Sequence, residues 1–352
     1  MLDLAILALA FLIILLGAEL FTNGVEWFGR KLGLAEGAVG SVLAAVGTAL
    51  PETTIPIVAI LFSSGAHSSE VGLGAILGAP FMLSTLAMFV TGAAVMWQAR
   101  HREAGDVMPV DGTVLRGDLL SFVAMYGLAI GAALVLPTEP GWPKAIVALV
   151  LLLAYGRYVG QHFQADPSID LDDLAPLRLH RLDRAGHRVQ PAEPRLRIVS
   201  VQVLAAVACI VFGAVVFVDA VDSIARAVGI SEVLLALVIA PIATELPEKL
   251  NSVIWIRQGK DTLAIGSITG AMVFQSAIPV SVALLFAPEA WSIASGNYTA
   301  FASAGIALLA TGLIFGPAIR RGTARIRGRR LLLGGAFYAL YLGVIAVVIS
   351  QG

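Results

Sequence analysis

The chain has 352 residues, 58% hydrophobic and only 13% charged, with a formal net charge of −1. Soluble domains run nearer about 45–50% apolar and about 25% charged, so this composition excludes a soluble enzyme, and the near-neutral charge gives no reason to expect nucleic-acid binding. The single cysteine, Cys209, lies in an apolar run and none of the five histidines falls inside a hydrophobic span, which argues against a disulfide framework, a thiolate site or a haem centre.

The first stretch, "MLDLAILALAFLIILLGAELF", is too long and too poor in N-terminal positive charge for a cleaved signal peptide. It reads as a transmembrane helix. A span needs about 20 mostly apolar residues. Ten segments qualify: 2–23, 36–62, 70–97, 118–136, 142–161, 198–222, 231–256, 262–287, 297–317 and 331–350. After the fifth comes the one long polar stretch, 162–197, whose Pro, Asp and Arg content predicts a solvated tether. The expected fold is an all-α polytopic membrane protein. It has a first five-helix repeat over 1–161, a linker over 162–197 and a second five-helix repeat over 198–352. Twenty of the 23 Lys and Arg residues fall in or beside the loops after odd-numbered spans. That bias predicts a cytoplasmic linker and both termini outside, in the cell (inner or plasma) membrane.

The two halves resemble each other. Residues 17–52 align without a gap on 213–248, at an offset of 196, with 13 identities in 36 positions. The matches include Gly17/Gly213, Thr48/Thr244, Pro51/Pro247 and Glu52/Glu248. A second match pairs "GAILGAPF" (74–81) with "GSITGAMV" (266–273). Because each half has an odd number of spans, the halves cross the membrane in opposite directions, an architecture typical of secondary transporters with a site near the midplane.

Glu52, Glu245 and Glu248 fall near the middle of spans 2 and 7. A carboxylate at that depth costs roughly 3 kcal/mol on insertion scales. The same costly feature recurs at equivalent places in both halves, which points to a buried cation site. Thr48 and Glu52 are four apart, as are Thr244 and Glu248, so each pair shares a helix face. Pro51 and Pro247 withhold the N–H groups that would bond the carbonyls of Gly47 and Ala243. Each motif therefore offers a hydroxyl, a carboxylate and a backbone oxygen on a helix expected to break. Hard cations such as Ca²⁺ take about 6–8 oxygens, which two facing motifs could largely supply. Gln275, Ser267 and Thr269 of span 8 and Ser84 of span 3 are further candidate oxygens. Gly74-x-x-x-Gly78 and Gly266-x-x-x-Gly270 predict close helix packing through small residues. Asp219 and Asp222 read as interfacial caps.

The paired "GTALPE" (47–52) and "ATELPE" (243–248), each preceded by a "GA…LG(L/I)xE" run, resemble the alpha-repeat motifs of the calcium/cation antiporter superfamily. Its best-known branch is the sodium/calcium exchangers. The resemblance extends across essentially the whole ten-span arrangement. It implies that Glu52 and Glu248 bind the transported cation beside Thr48 and Thr244, and that spans 1 and 6 slide across a core of the other eight. The spans hold no nucleophile-base pair, phosphate loop or His-rich metal motif, so no enzyme activity and no cofactor are expected; the expected partners are inorganic cations and the lipid bilayer, and the expected working unit is a monomer. The chain departs from the family where spans 3 and 8 usually carry Gly-Ser-Asn or Gly-Ser-Asp. Here they read Gly78-Ala79-Pro80 and Gly270-Ala271-Met272. The serine usual before LPE is Ala49 in one half and Glu245 in the other. The resemblance favours Ca²⁺ exchanged for Na⁺. The lost hydroxyls and gained acid leave two alternatives: a proton-coupled exchanger of Ca²⁺ or a related cation, or a channel-like or non-transporting relative with a degenerate site.

Overall fold

The computed structural model describes residues 2–31, 50–62, 68–139, 141–163, 176–179, 194–321 and 325–351. Ten helical segments follow the predicted order. They are α1 Leu2–Lys31, α2 Leu50–Leu61, α3 Ser68–Gln98, α4 Gly112–Val135, α5 Trp142–Phe163, α6 Leu196–Val228, α7 Glu232–Arg257, α8 Asp261–Phe286, α9 Tyr298–Arg321 and α10 Leu333–Gln351. The all-α expectation holds for the spans. Outside them, β1 Val107–Pro109 pairs antiparallel with β2 Arg325–Arg327, Met108 opposite Ile326, and ties the loop after α3 to the loop before α10. Arg102 anchors the same loop. Its guanidinium bonds Asp261 Oδ2 at 2.5 Å, the Ile256 carbonyl at 3.0 Å and the Val107 carbonyl at 3.3 Å. Charge-assisted bonds of this kind are strong where both partners are buried, as here.

The longest helices, α1 and α6, have 30 and 33 residues. At 1.5 Å per residue they reach about 45 and 50 Å, well beyond a hydrocarbon thickness of about 30 Å, which leaves length for tilt or for projection past it. They pack on each other through glycine. A Cβ on Gly17 would meet Ile210 Cγ1 at 2.7 Å and the Ala206 carbonyl at 3.2 Å. On Gly213 it would meet Ile14 Cγ1 at 2.8 Å and the Ala10 carbonyl at 3.2 Å. Every residue in one contact is 196 positions from its counterpart in the other, so the sequence repeat reappears as a pseudo-two-fold contact. A matching pair occurs in spans 3 and 8, where Ser84 Oγ donates to the Phe81 carbonyl and Ser276 Oγ to that of Val273.

Apolar packing divides the molecule into two bodies. One large core unites α3, α4, α5, α7, α8, α9 and α10. A second core joins α1 and α6 to α2 and to one face of α3 and α7. Its members are mostly small: Ala10, Val58, Ala59, Val71, Ala75, Ala214, Ala220, Ala236 and Ala240. Short side chains make shallow ridges, so this seam interlocks less than a Leu- and Phe-rich one.

Part of the linker is not a solvated tether. Leu177 is buried against Trp27 of α1 and Val199 of α6. The Arg178 N–H donates to Asn23 Oδ1 at 3.0 Å and the Leu179 N–H to Gln202 Oε1 at 2.8 Å. Gln202 Nε2 donates in turn to Asn23 Oδ1 and to the Leu20 carbonyl. Two polar side chains inside α1 and α6 thus find partners in each other and in linker backbone, as buried polar groups must. Pattern reading missed this because 176–179 is embedded in a charged stretch.

Gly74 and Gly78 do what small residues at this spacing suggest. They let α3 approach α7 so closely that a Cβ would lie 2.2 Å from the carbonyls of Val233 and Leu237 respectively. The Leu237 carbonyl is the one whose intrahelical donor Pro241 removes, and the Pro241 ring sits beside Gly78. We expect Gly78→Ala to force α3 and α7 apart and to cost about 1–3 kcal/mol, as overpacking does. Thermal unfolding of the purified protein should show a lower midpoint for Gly78→Ala. Gly127→Ala, where a Cβ meets nothing within 4 Å, should show no loss. Equal midpoints would contradict the packing account.

Candidate functional site

α2 begins, within the described residues, at Leu50, so Pro51 lies in its first turn, where a proline is tolerated. Glu52 follows, 6% exposed, with both carboxylate oxygens buried. Ile55 and Ala59 lie three and seven residues later on the same helix face, and both belong to the small-residue core under α1 and α6. Glu52 therefore sits on the stripe of α2 that meets the seam. Pro56 adds a feature the sequence reading overlooked. It lies inside α2 and carries no N–H for the Glu52 carbonyl four residues earlier.

The second motif is arranged alike. α7 positions Ala236 and Ala240 in the seam. Thr244 lies one turn further on that stripe, 2% exposed, its hydroxyl donating to the Ala240 carbonyl at 3.0 Å. Position 248 is the next on the stripe by register. The expected break in this helix does not occur: α7 runs continuously from Glu232 to Arg257. Pro241 and Pro247 subtract donors from a helix that continues past them, a tolerance seen where adjacent helices pack around the proline.

Of the other predicted site residues, Gln275 lies on α8, which packs against α2, and it is 2% exposed. Its Oε1 is buried and finds no hydrogen-bond partner among the described residues. A buried unpaired amide oxygen is costly unless something fills its lone pairs. The side chains of Glu245 and Glu248 lie outside the described residues, as do that of Ala243 and the whole of Gly47 and Thr48. The Ala243 backbone is part of α7.

Several candidates belong elsewhere. Thr269 is turned away from Gln275, with its hydroxyl 2.6 Å from Asp118 Oδ2 on α4. Ser267 meets Ser252 and the Ala264 carbonyl. Ser84 bonds its own helix at a π-helical turn, Leu83–Ala87, where Thr85 also caps the Phe81 carbonyl. Asp222 pairs with Arg226 one turn away, in keeping with an interfacial role. Among the described residues, Gly266 and Gly270 make no close backbone approach. The counterparts of Val233 and Leu237, positions 37 and 41, lie outside the described residues. Sequence reading missed Asp118 because it stands at the very start of the predicted fourth span.

A family model described as "Sodium/calcium exchanger protein" matches residues 2–161 and 198–350. The chain belongs to the sodium/calcium exchanger family. The two matched blocks flank the linker and contain both glutamate motifs. This exchanger is 25% identical over 328 residues to CaxA of Alkalimonas amylolytica, whose name describes an antiporter, covering 92% of this chain and 93% of that one. It is 22% identical over 284 residues to the inner membrane protein YrbG of Escherichia coli, covering 81% and 80%. Among solved structures, an H⁺/Ca²⁺ exchanger CAX shares its fold with a TM-score of 0.70 at 15% identity, covering 99% of this chain and 85% of that one. The sodium-calcium exchanger NCX_Mj does so with a TM-score of 0.56 at 16% identity, covering 97% and 98%. The family is one of membrane transporters, not enzymes.

Gln275→Leu removes an amide oxygen that has no partner among the described residues, so thermal stability without Ca²⁺ should be unchanged or higher. The rise in unfolding midpoint produced by added Ca²⁺ should shrink if Gln275 is a ligand, and an undiminished rise would remove it from the site.

Proposed function

We propose that this protein is a secondary-active antiporter that exchanges Ca²⁺ or a related cation for Na⁺ by alternating access through one shared site. Glu52 and Glu248 are its principal ligands. Glu245, Thr48, Thr244, Gln275 and the carbonyls of Gly47 and Ala243 contribute further oxygens. The observation that carries this reading is the burial of Glu52 on the α2 stripe that faces α1 and α6. A carboxylate there is desolvated, and a bound cation offsets that cost. With the site filled, the seam is close to neutral and α1 and α6 can pass over it. With the site empty, movement would carry them across buried carboxylates. Exchange without leak follows from that difference. The Lys and Arg bias orients the molecule with both termini outside and the linker in the cytoplasm.

Proton coupling is the second reading, favoured by the replacement of the usual serine by Glu245. Carboxylates clustered in low dielectric raise one another's proton affinity, so a proton can stand in for Na⁺. Mg²⁺ fits less well, because it gives up its waters reluctantly.

Glu52→Gln and Glu248→Gln keep shape and remove charge. Each should abolish radiolabelled Ca²⁺ uptake into proteoliposomes while the protein still elutes as a folded monodisperse species. Full uptake by either variant would refute its place in the site. Wild-type uptake under an outward Na⁺ gradient, compared with an outward H⁺ gradient, identifies the counter-ion.

A further inference from the structure

The loop between α3 and α4 grips the turn that joins α7 to α8. Arg102 is the centre of the grip, with its side chain 6% exposed, and its partner Asp261 is 2% exposed. One guanidinium reaches both helices of the hairpin. Its Nη1 donates to the Ile256 carbonyl in the last turn of α7. Its Nη2 donates to Asp261 in the first turn of α8 and to the Val107 carbonyl of its own loop. Charge favours both contacts, because a helix C-terminus draws a cation and a helix N-terminus draws an acid. Farther along the loop, the Asp111 N–H donates to Thr262 Oγ1 at 3.1 Å, so the start of α8 is tied twice. The turn also closes through its own backbone. The Gly259 N–H donates to the Ile256 carbonyl and the Lys260 N–H to that of Trp255. The grip is therefore added to a hairpin that its own hydrogen bonds already shape. The loop at the matching place in the second half, 287–297, contains neither Lys nor Arg. Lys144, buried at the start of α5, holds that loop instead, donating to the carbonyls of Pro288 and Trp291.

We propose that Arg102 is a positioning residue for the cation site: by fixing the joined ends of α7 and α8, it sets the spacing of the oxygens that the two helices contribute. This rests on the site reading above, which draws Thr244 and Glu248 from α7 and Gln275 from α8. Arg102 does not touch the cation and acts through the helices. The lever is long. Gln275 lies 14 residues from Asp261, about 21 Å along α8, and position 248 lies eight residues from Ile256, about 12 Å along α7. A tilt of about 3° at the turn would carry an oxygen 21 Å away by about 1 Å, more than the whole spread of Ca²⁺–oxygen distances, about 2.3–2.6 Å. The residue type suits the task. A guanidinium presents its donors in a rigid planar fork, whereas an ammonium is a point charge on a flexible stem. The fork meets one acceptor on α7, one on α8 and one on the loop, and so fixes a relative orientation as well as a distance. The Lys144 bonds have no such leverage, because they end in a loop and begin on a helix that supplies no proposed ligand.

The test is the half-saturating Ca²⁺ concentration for uptake by the full-length protein in proteoliposomes, measured beside the maximal rate and the thermal unfolding midpoint. Arg102→Ala should raise half-saturation about tenfold, the lower end of what losing a ligand-orienting partner costs. Arg102→Lys keeps the charge and loses the fork, so its half-saturation should lie between those of Arg102→Ala and wild type. Lys144→Met also removes a buried cation that bonds two carbonyls. It should lower the unfolding midpoint and leave half-saturation unchanged, which separates positioning from loss of stability. An unchanged half-saturation in Arg102→Ala, or an equal rise in Lys144→Met, would overturn the role. If Arg102→Ala does not fold, Arg102→Lys against Lys144→Met decides on the same terms. A wild type that takes up no Ca²⁺ under any gradient would overturn the exchanger reading instead. The rise in unfolding midpoint on adding Ca²⁺ then decides the role of Arg102: smaller in the Arg102 variants than in wild type and Lys144→Met supports it, and equal in all overturns it. No rise in wild type would overturn both.

Discussion

Everything in this molecule turns on the cost of an ionised carboxylate inside the hydrocarbon layer. That cost is about 2.5–3.5 kcal/mol on insertion scales, a large share of the stability of an ordinary fold. Glu52 is held at 6% exposure on a stripe otherwise made of Ile and Ala. On the proposed reading this tension is the coupling device: the site stays open to one side of the membrane until a cation occupies it.

Packing around the site is consistent with movement on one side and rigidity on the other. α7 is pressed against α3 through Gly74 and Gly78 at backbone distance, and seven of the ten helices share one large apolar core. α1 and α6 are locked to each other by Gly17 and Gly213 and bridged by Asn23, Gln202 and linker residues 176–179. Between the two bodies lie mostly Ala and Val. A pair clamped internally and loosely keyed to its neighbour can shift as a unit.

The spans, the inverted repeat and the two glutamate motifs were legible in the sequence because each is a one-dimensional signal: apolar run length, a fixed offset of 196 residues, a charge where charge is costly. The seam was not legible. Knowing that Ala236, Ala240 and Thr244 share a stripe does not say which helix that stripe meets. Asp118 was hidden for the same reason, since its partners Tyr158 and Thr269 are 40 and 151 residues away. The predicted break in α7 does not occur because a proline's missing donor is tolerated inside a helix that is packed among neighbours, here α3 and α8. Thr269 is a candidate oxygen by residue type alone, and the sequence does not show that its hydroxyl meets Asp118. Pro56 obeys the same local chemistry as Pro51 and Pro247, with no N–H for the carbonyl four residues earlier.

The central claim is that the loaded site moves and the empty site does not. Its most direct test is efflux of radiolabelled Ca²⁺ from preloaded proteoliposomes, with and without a counter-cation outside. Efflux that requires external Ca²⁺, Na⁺ or H⁺ is the predicted result. Efflux at the same rate into a medium lacking any exchangeable cation would mean that the empty site crosses freely, and would contradict the account.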